Sequence, residues 1–409
     1  MPPTSATFEQ LLTSADFFVD PYPIYARLRE DAPVYWSEAW GGWVLTRYAD
    51  VAAVLRDPAR FSSAGRISYL LAQLPEADRR RADLLERHYQ VGLAHSDPPD
   101  HTRLRTLLNR FFTPRHLESL RPRIGQLVEG MLDQGERAGG MDVIHDLAYP
   151  LPAIVVLEMI GAPAADRDLF RDWALGINRL FAAGGRTNLE AVDAALASLA
   201  EIRAYISDLA AQRRRDPRAD LISLLVHAGA DEQLSEGELL ATCVTLFVAG
   251  HETTTNLIGN GLLALLRHPE QLSLLRENPD LALAAMEELL RYDTPVPRGW
   301  RLAKADVEIG GQPIRAGDLL LPMIGAANRD PAQFPAPDRL DFGRADNRHL
   351  GFGYGIHFCL GAPLARLEVP AALNALLRRF PALRLDESIH LVWRRDVALR
   401  GIDSLPVLL

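Results

Sequence analysis

Two cysteines in 409 residues are too few for a disulfide scaffold, so the chain is expected to work in a reducing compartment, the cytoplasm. No stretch approaches the ~20 uninterrupted apolar residues of a membrane span. The opening MPPTSATFEQLLTSADFF has neither the basic start nor the apolar run of a secretory signal. Neither a membrane anchor nor export is expected. Basic residues are outnumbered, and a net charge of −9 argues against general nucleic-acid binding, leaving only local basic patches. Also missing are internal repeats and any Gly/Ser-rich or charge-block linker. Residues 1–409 are therefore expected to form a single domain, with a core supplied by 48% hydrophobic residues.

The pattern that is present is mostly of period 3.6, which predicts a mainly α architecture with small β-sheets. Ser235 and Glu238 have capping-box spacing, and residues 236–267 then run without proline up to Pro269. Such a helix would be on the order of 45 Å long, enough to cross a domain. A shorter helix is expected after Asn278-Pro279, with Asn as N-cap, ending before Pro295. Residues 305–321 read as a small hairpin around Gly310-Gly311, and residues 328–349 as an ordered but irregular meander. Helix resumes after Cys359, where Pro370 is expected to kink or shorten it.

The run FGYGIHFCLG, residues 352–361, sets one cysteine in a glycine-rich loop directly before a helix. A free thiol ionises near pH 8.5, and a helix N-terminus with backbone N–H donors favours the thiolate, which is the form that binds metal. Gly353, Gly355 and Gly361 let the backbone turn back toward the sulfur, and Phe352 offers a flat apolar shield. The other cysteine, Cys243, lies in an apolar helical run and reads as packing. A Cys243–Cys359 disulfide is allowed by count alone and is not expected.

Phe352, Gly355, His357, Cys359 and Gly361 stand at the spacings of the haem-binding signature of the cytochrome P-450 family, which this run resembles. Further motifs follow in family order from Asp20-Pro21-Tyr22-Pro23 to the C-terminal RGIDSLPV. The departures are Pro370 and a long stretch between Phe61 and His95 containing EADRRRADLLERHYQ. The resemblance implies the cytochrome P-450 fold, a long central helix over haem b (iron protoporphyrin IX), and Cys359 as the metal ligand. It also gives roles to other segments. His101 and Arg105, four residues apart on one helix face, would reach a haem propionate, with Arg301 and His357 completing the set; arginine suits this task through its bidentate fork. In AGHETT, residues 249–254, the small Ala249 and Gly250 would let the macrocycle approach, while Glu252 and Thr253 would deliver protons. Glu288 and Arg291 would form a buried network with a meander arginine, Arg339 in FPAPDRLDF.

Each of these has a plainer reading when taken alone. His101 and Arg105 are then a solvated face, Thr253 a helix threonine bonded to its own turn with Glu252 facing solvent, and Glu288 and Arg291 a helix-surface pair. HETTT is not a zincin motif, because HExxH needs histidine where Thr255 stands. The function implied is a monooxygenase that inserts one oxygen atom from O2 into a small-to-medium, largely apolar substrate. Electrons would come from an external ferredoxin or flavodoxin with its reductase, docked on a basic patch of Arg103, Arg110 and Arg366. A peroxide-driven peroxygenase or isomerase, or a non-catalytic haem sensor, are the alternatives, and neither needs the acid–threonine pair. Segments expected to line the substrate pocket are residues 65–92, 246–249, 296–300 and 394–398, with Arg298 and Trp300 as a polar anchor beside an aromatic wall or, for Arg298, a surface residue.

Overall fold

Ser235 Oγ accepts from the Glu238 N–H at 3.2 Å while the Glu238 carboxylate accepts from the Ser235 N–H at 2.8 Å. This capping box starts the helix Glu236–Arg267, around which the molecule is arranged. The computed structural model describes residues 5–229 and 233–409. The long helix is buried on most faces, so tertiary packing rather than propensity holds it. Its neighbours include the almost wholly apolar helix Pro150–Ile160 and the helices Ala282–Tyr292 and Ala362–Arg379. One large apolar core joins these elements; a second, under the N-terminal helices, includes Phe17, Tyr25, Trp40 and Trp300.

The sheets are small. Five short strands run in the order Val34–Ser37, Gly42–Leu45, Leu319–Pro322, Arg301–Ala303 and Phe61–Ser62. Only the pairing of Gly42–Leu45 with Leu319–Pro322 is parallel. Arg301 sits opposite Leu320 in this sheet, which fixes where its side chain starts. The expected hairpin is narrower than residues 305–321. Val307–Ile309 pairs with Gln312–Ile314 through Gly310 and Gly311 at φ 57° and 78°, whereas Leu319 to Leu321 belong to the five-stranded sheet. A third sheet joins Met141–Asp142, Pro406–Leu408 and Arg384–Leu385.

Three other expectations change. Pro370 does not end its helix, which continues from Ala362 to Arg379. Glu368, Val369, Ala372 and Leu373 around it are all buried, and that packing outweighs a proline penalty of roughly 3 kcal/mol. Asn278 does not cap with its side chain, which donates instead to Leu274 O; a 3-10 turn Pro279–Leu281 precedes the helix Ala282–Tyr292. The charged candidate between Phe61 and His95 is two helices, Glu76–Arg81 and Asp83–Gln90.

Candidate active site

The cysteine loop is shaped by its glycines. Gly353 and Gly355 both have φ 75°, in the left-handed region, and a Cβ at Gly355 would sit 3.0 Å from Arg56 Cα and Leu55 O. The Cys359 N–H donates to Phe352 O at 2.8 Å, tying the two ends of the loop. Burial pushes the Cys359 thiol up, opposed by the Gly361 and Ala362 N–H groups aimed at the sulfur and by the charges of Arg105 and Arg366. The loop thus supplies the thiolate-favouring donors expected of it, and burial still prevails; a cation on the sulfur would complete the ionisation. Both cysteines are free, and Cys243 is buried in the long helix.

On one side of this loop the structure gathers His101, Arg105, Arg301 and His357. The His101 and His357 rings lie 4.3 Å apart, and the Nε2 atom of each is buried without a hydrogen-bond partner. Arg105 Nη1 donates to Phe358 O, the carbonyl just before Cys359, at 2.7 Å. Arg301 Nη1 donates to Trp300 O at 2.7 Å. Burial, then the charges of Arg301 and His101, push His357 down to about 3, and burial holds Arg301 down at about 10. The carboxylate felt by His101, Arg301 and His357 is that of Asp97, which already accepts from Ser62 Oγ, the Ser63 N–H and Lys304. Basic groups crowded together with orphaned imidazole nitrogens and one engaged carboxylate fit a ligand carrying carboxylates of its own.

The middle of the long helix forms another side. Ala249 is exposed although the helix around it is mostly buried. At Gly250 a Cβ would lie 2.9 Å from Val156 Cγ2, so its small size also serves helix packing. Thr253 Oγ1 donates to Ala249 O at 2.8 Å. Glu252 does not face solvent. It is 7% exposed, with Oε1 2.8 Å from Arg394 Nη1 and Oε2 accepting from Asn178 Nδ2 at 2.6 Å. Burial pushes its carboxyl up, against the pull of Arg394 and Asn178.

The sequence of residues 191–388 matches the family model "Cytochrome P450". The "Biotin biosynthesis cytochrome P450" of Bacillus subtilis is 40% identical, over 98% of this chain and 99% of that protein. "Vitamin D(3) 25-hydroxylase" of Pseudonocardia autotrophica is 40% identical, over 99% and 97%. The solved structure of P450BioI in complex with hexadec-9Z-enoic acid ligated acyl carrier protein superposes with a TM-score of 0.89, at 40% identity, over 97% of this chain and 100% of that one. The chain belongs to the cytochrome P450 family.

Cytochromes P450 bind haem b through a cysteine thiolate, and their bacterial members are monooxygenases of organic substrates that take electrons from a redox partner. The donor set described above fits that group. In this P450, the meander network has a different member from the one expected. Glu288 and Arg291 are buried, 1% and 0% exposed, and joined by two contacts of 2.8 Å. The arginine that joins them is Arg344, whose Nε lies 3.2 Å from both Glu288 oxygens. Arg339 contributes only its carbonyl, to Arg291 and Arg344, while its side chain is 68% exposed. The sequence places both arginines in the meander, but the backbone turns Arg344 inward.

The basic patch is largely neutralised, because Arg103 pairs with Glu238 and Arg366 with Glu287. Arg366 also stacks over Phe352, 4.9 Å from its ring centre. Arg298 is no surface residue: it is buried, donating to Val397 O and Phe181 O at 3.0 Å. Sequence reasoning missed Arg344, Asn178 and the pairing of Arg394 with Glu252. For Arg394 the available signal was its place in a segment expected at the pocket. A separate cleft of about 630 Å³ between Glu158, Gly161, Tyr205 and Asp208 shares none of these groups. Among the described residues no helix is long and apolar enough to cross a membrane.

Proposed function

We propose that Cys359 is the iron ligand and that the chain acts as one haem domain, oxidising a largely apolar organic substrate. The observation that carries this is the Cys359 sulfur facing the Gly361 and Ala362 N–H groups, beside two arginines and two histidines whose imidazole Nε2 atoms are buried and unpartnered. His101, Arg105, Arg301 and His357 hold the haem carboxylates; Phe352 and Gly361 flank the sulfur; Ala249 and Gly250 form the wall on the oxygen side. Bound haem supplies the activation of O2, one atom entering the substrate and the other leaving as water.

The protein's part is to hold substrate, exclude water and supply protons. Asp403, 56% exposed, pairs with Arg394 Nε at 2.9 Å, and Arg394 in turn holds Glu252. Arg394, a donor with no site to accept a proton, orients Glu252, and Glu252, whose raised carboxyl suits it to carry a proton, takes it from water beside this pair. Thr253 Oγ1 passes the proton on when it leaves Ala249 O. The electron donor is a ferredoxin or flavodoxin with its reductase, filling the place of the redox partner that the family requires. A cytoplasmic setting fits the two free cysteines. Relatives of equal identity are named for targets as different as biotin biosynthesis and vitamin D(3), so 40% identity supports the reaction class and not the substrate.

The test is to compare turnover driven by NADPH through a surrogate ferredoxin system with turnover driven by peroxide. Oxygenated product from the first, with consumption of O2, is the expected result. Product from peroxide alone would favour the peroxygenase reading.

A further inference from the structure

Three segments that the sequence places at the pocket meet at one point in the fold, and the group at that point is Arg66. It begins the short helix Arg66–Leu71 and is half-buried. Its guanidinium lies 4.0 Å from the ring centre of Phe181 and 5.1 Å from that of Trp300. His95 stacks against both of these rings, at 6.3 and 5.5 Å, and Tyr89 meets His95 edge-on at 4.7 Å. The aromatic faces give a cation partial compensation, but they accept none of its five N–H donors. Among the described residues Arg66 has no hydrogen bond and no ion pair.

The charges around it make that lack costly. Arg298 is a second guanidinium within electrostatic reach, and the carboxylate that Arg66 feels is that of Asp396. Asp396 is already committed, accepting from the Ala398 and Leu399 N–H groups at 2.6 and 3.2 Å and facing Arg298. Two cations therefore share one engaged anion. Arg298 is satisfied by the carbonyls of Val397 and Phe181; Arg66 is not. Burial, then repulsion from Arg298, holds the Arg66 guanidinium well below its ordinary range. Trp300 directly precedes Arg301, whose charge reaches His357 in the cysteine loop, so this aromatic corner adjoins the haem site.

We propose that Arg66 binds the carboxylate of the substrate, which is an organic acid with an apolar body packed against Phe181, His95 and Trp300. A planar fork of donors with no acceptor matches a carboxylate in a bidentate way, and the apolar rings exclude water from the pair. The inference rests on the monooxygenase reading and names the substrate class for it.

The experiment uses the haem-loaded protein and a series of straight-chain acids from octanoate to hexadecanoate, each beside its methyl ester. Binding is followed by the Soret shift and by calorimetry. The expected result is that at least one acid binds ten-fold or more tightly than its ester. Arg66→Leu should abolish that preference without weakening ester binding or lowering haem content, and Arg66→Lys should retain part of it. Equal binding of every acid and its ester would overturn the proposal. So would loss of haem in Arg66→Leu, which would make Arg66 a propionate donor. Failure of the monooxygenase reading would appear separately, as absence of NADPH-driven oxygenation of acids and esters alike.

Discussion

Replacing Arg344 by alanine is expected to destabilise the protein far more than replacing Arg339, although the two stand five residues apart in the same meander. The Arg344 Nε contacts both oxygens of Glu288 at 3.2 Å, and its Nη atoms donate to Pro335 O at 2.8 Å, Ala336 O at 3.3 Å and Arg339 O at 3.1 Å. The side chains of Arg344 and Glu288 are 8% and 1% exposed. Breaking a buried pair by deleting one partner costs roughly 3–5 kcal/mol. Glu288 keeps Arg291 and the Asp341 N–H at 3.0 Å, so the low end, about 3 kcal/mol, is the expectation. Arg339 offers a 3.8 Å contact to Asp341 from a side chain 68% exposed. Such a pair is worth about 0–1 kcal/mol, and its useful carbonyl survives the substitution. At about 2.1 cal/mol/K of unfolding entropy per residue, 3 kcal/mol lowers the thermal midpoint of a chain this long by roughly 3–4 °C. Scanning calorimetry of the two variants, with haem content after gel filtration, tests this. Equal midpoints, or a larger loss in Arg339→Ala, would refute the assignment.

Thr253→Ala should leave substrate binding intact while NADPH is still oxidised, with hydrogen peroxide replacing much of the organic product; Glu252→Gln should slow turnover by about 10²–10⁴-fold at most, since water partly substitutes for a lost proton donor. Measuring NADPH, peroxide and product together separates the two, and unchanged coupling in Thr253→Ala would leave its bond to Ala249 O as packing alone. Glu368 is fully buried with both carboxylate oxygens unpartnered, and burial pushes it up to about 8. Its native form holds a proton that the unfolded chain has already lost between the ordinary carboxylate range and about pH 8, so stability falls as pH rises through that window. Glu368→Gln, neutral at every pH, should gain on the wild type by on the order of 3 kcal/mol between pH 5 and pH 7. Parallel pH profiles of thermal midpoint for the two proteins would contradict this.

What the sequence made legible was local. The capping box of Ser235 and Glu238 spans four residues, and the cysteine loop declares itself through glycines within ten residues of one another, so both could be read before any fold was known. The partners that define the rest of the site come from far along the chain. Arg344 meets Glu288 across 56 positions, Asn178 meets Glu252 across 74, and Arg394 meets Glu252 across 142. Nothing in the spacing of DRLDFGR says which arginine turns inward, because that depends on the backbone path of the whole meander. Gly250 shows the same limit from the other direction. Its smallness was visible, but the packing that also requires it, Val156 on another helix, was not. Pro370 marks where the expected shortening of the helix was overruled by burial on both sides.

The claim on which all of this depends is that Cys359 ligates the iron. Cys359→Ser replaces a thiol by a hydroxyl that is far harder to deprotonate, while Cys243, buried in apolar surroundings that push its thiol up to about 12, offers no substitute. The direct measurement is the absorption spectrum of the reduced, carbon-monoxide-bound protein. The wild type should show the strongly red-shifted Soret band of a thiolate-ligated haem, and Cys359→Ser should lose it. Survival of that band in Cys359→Ser would contradict the account.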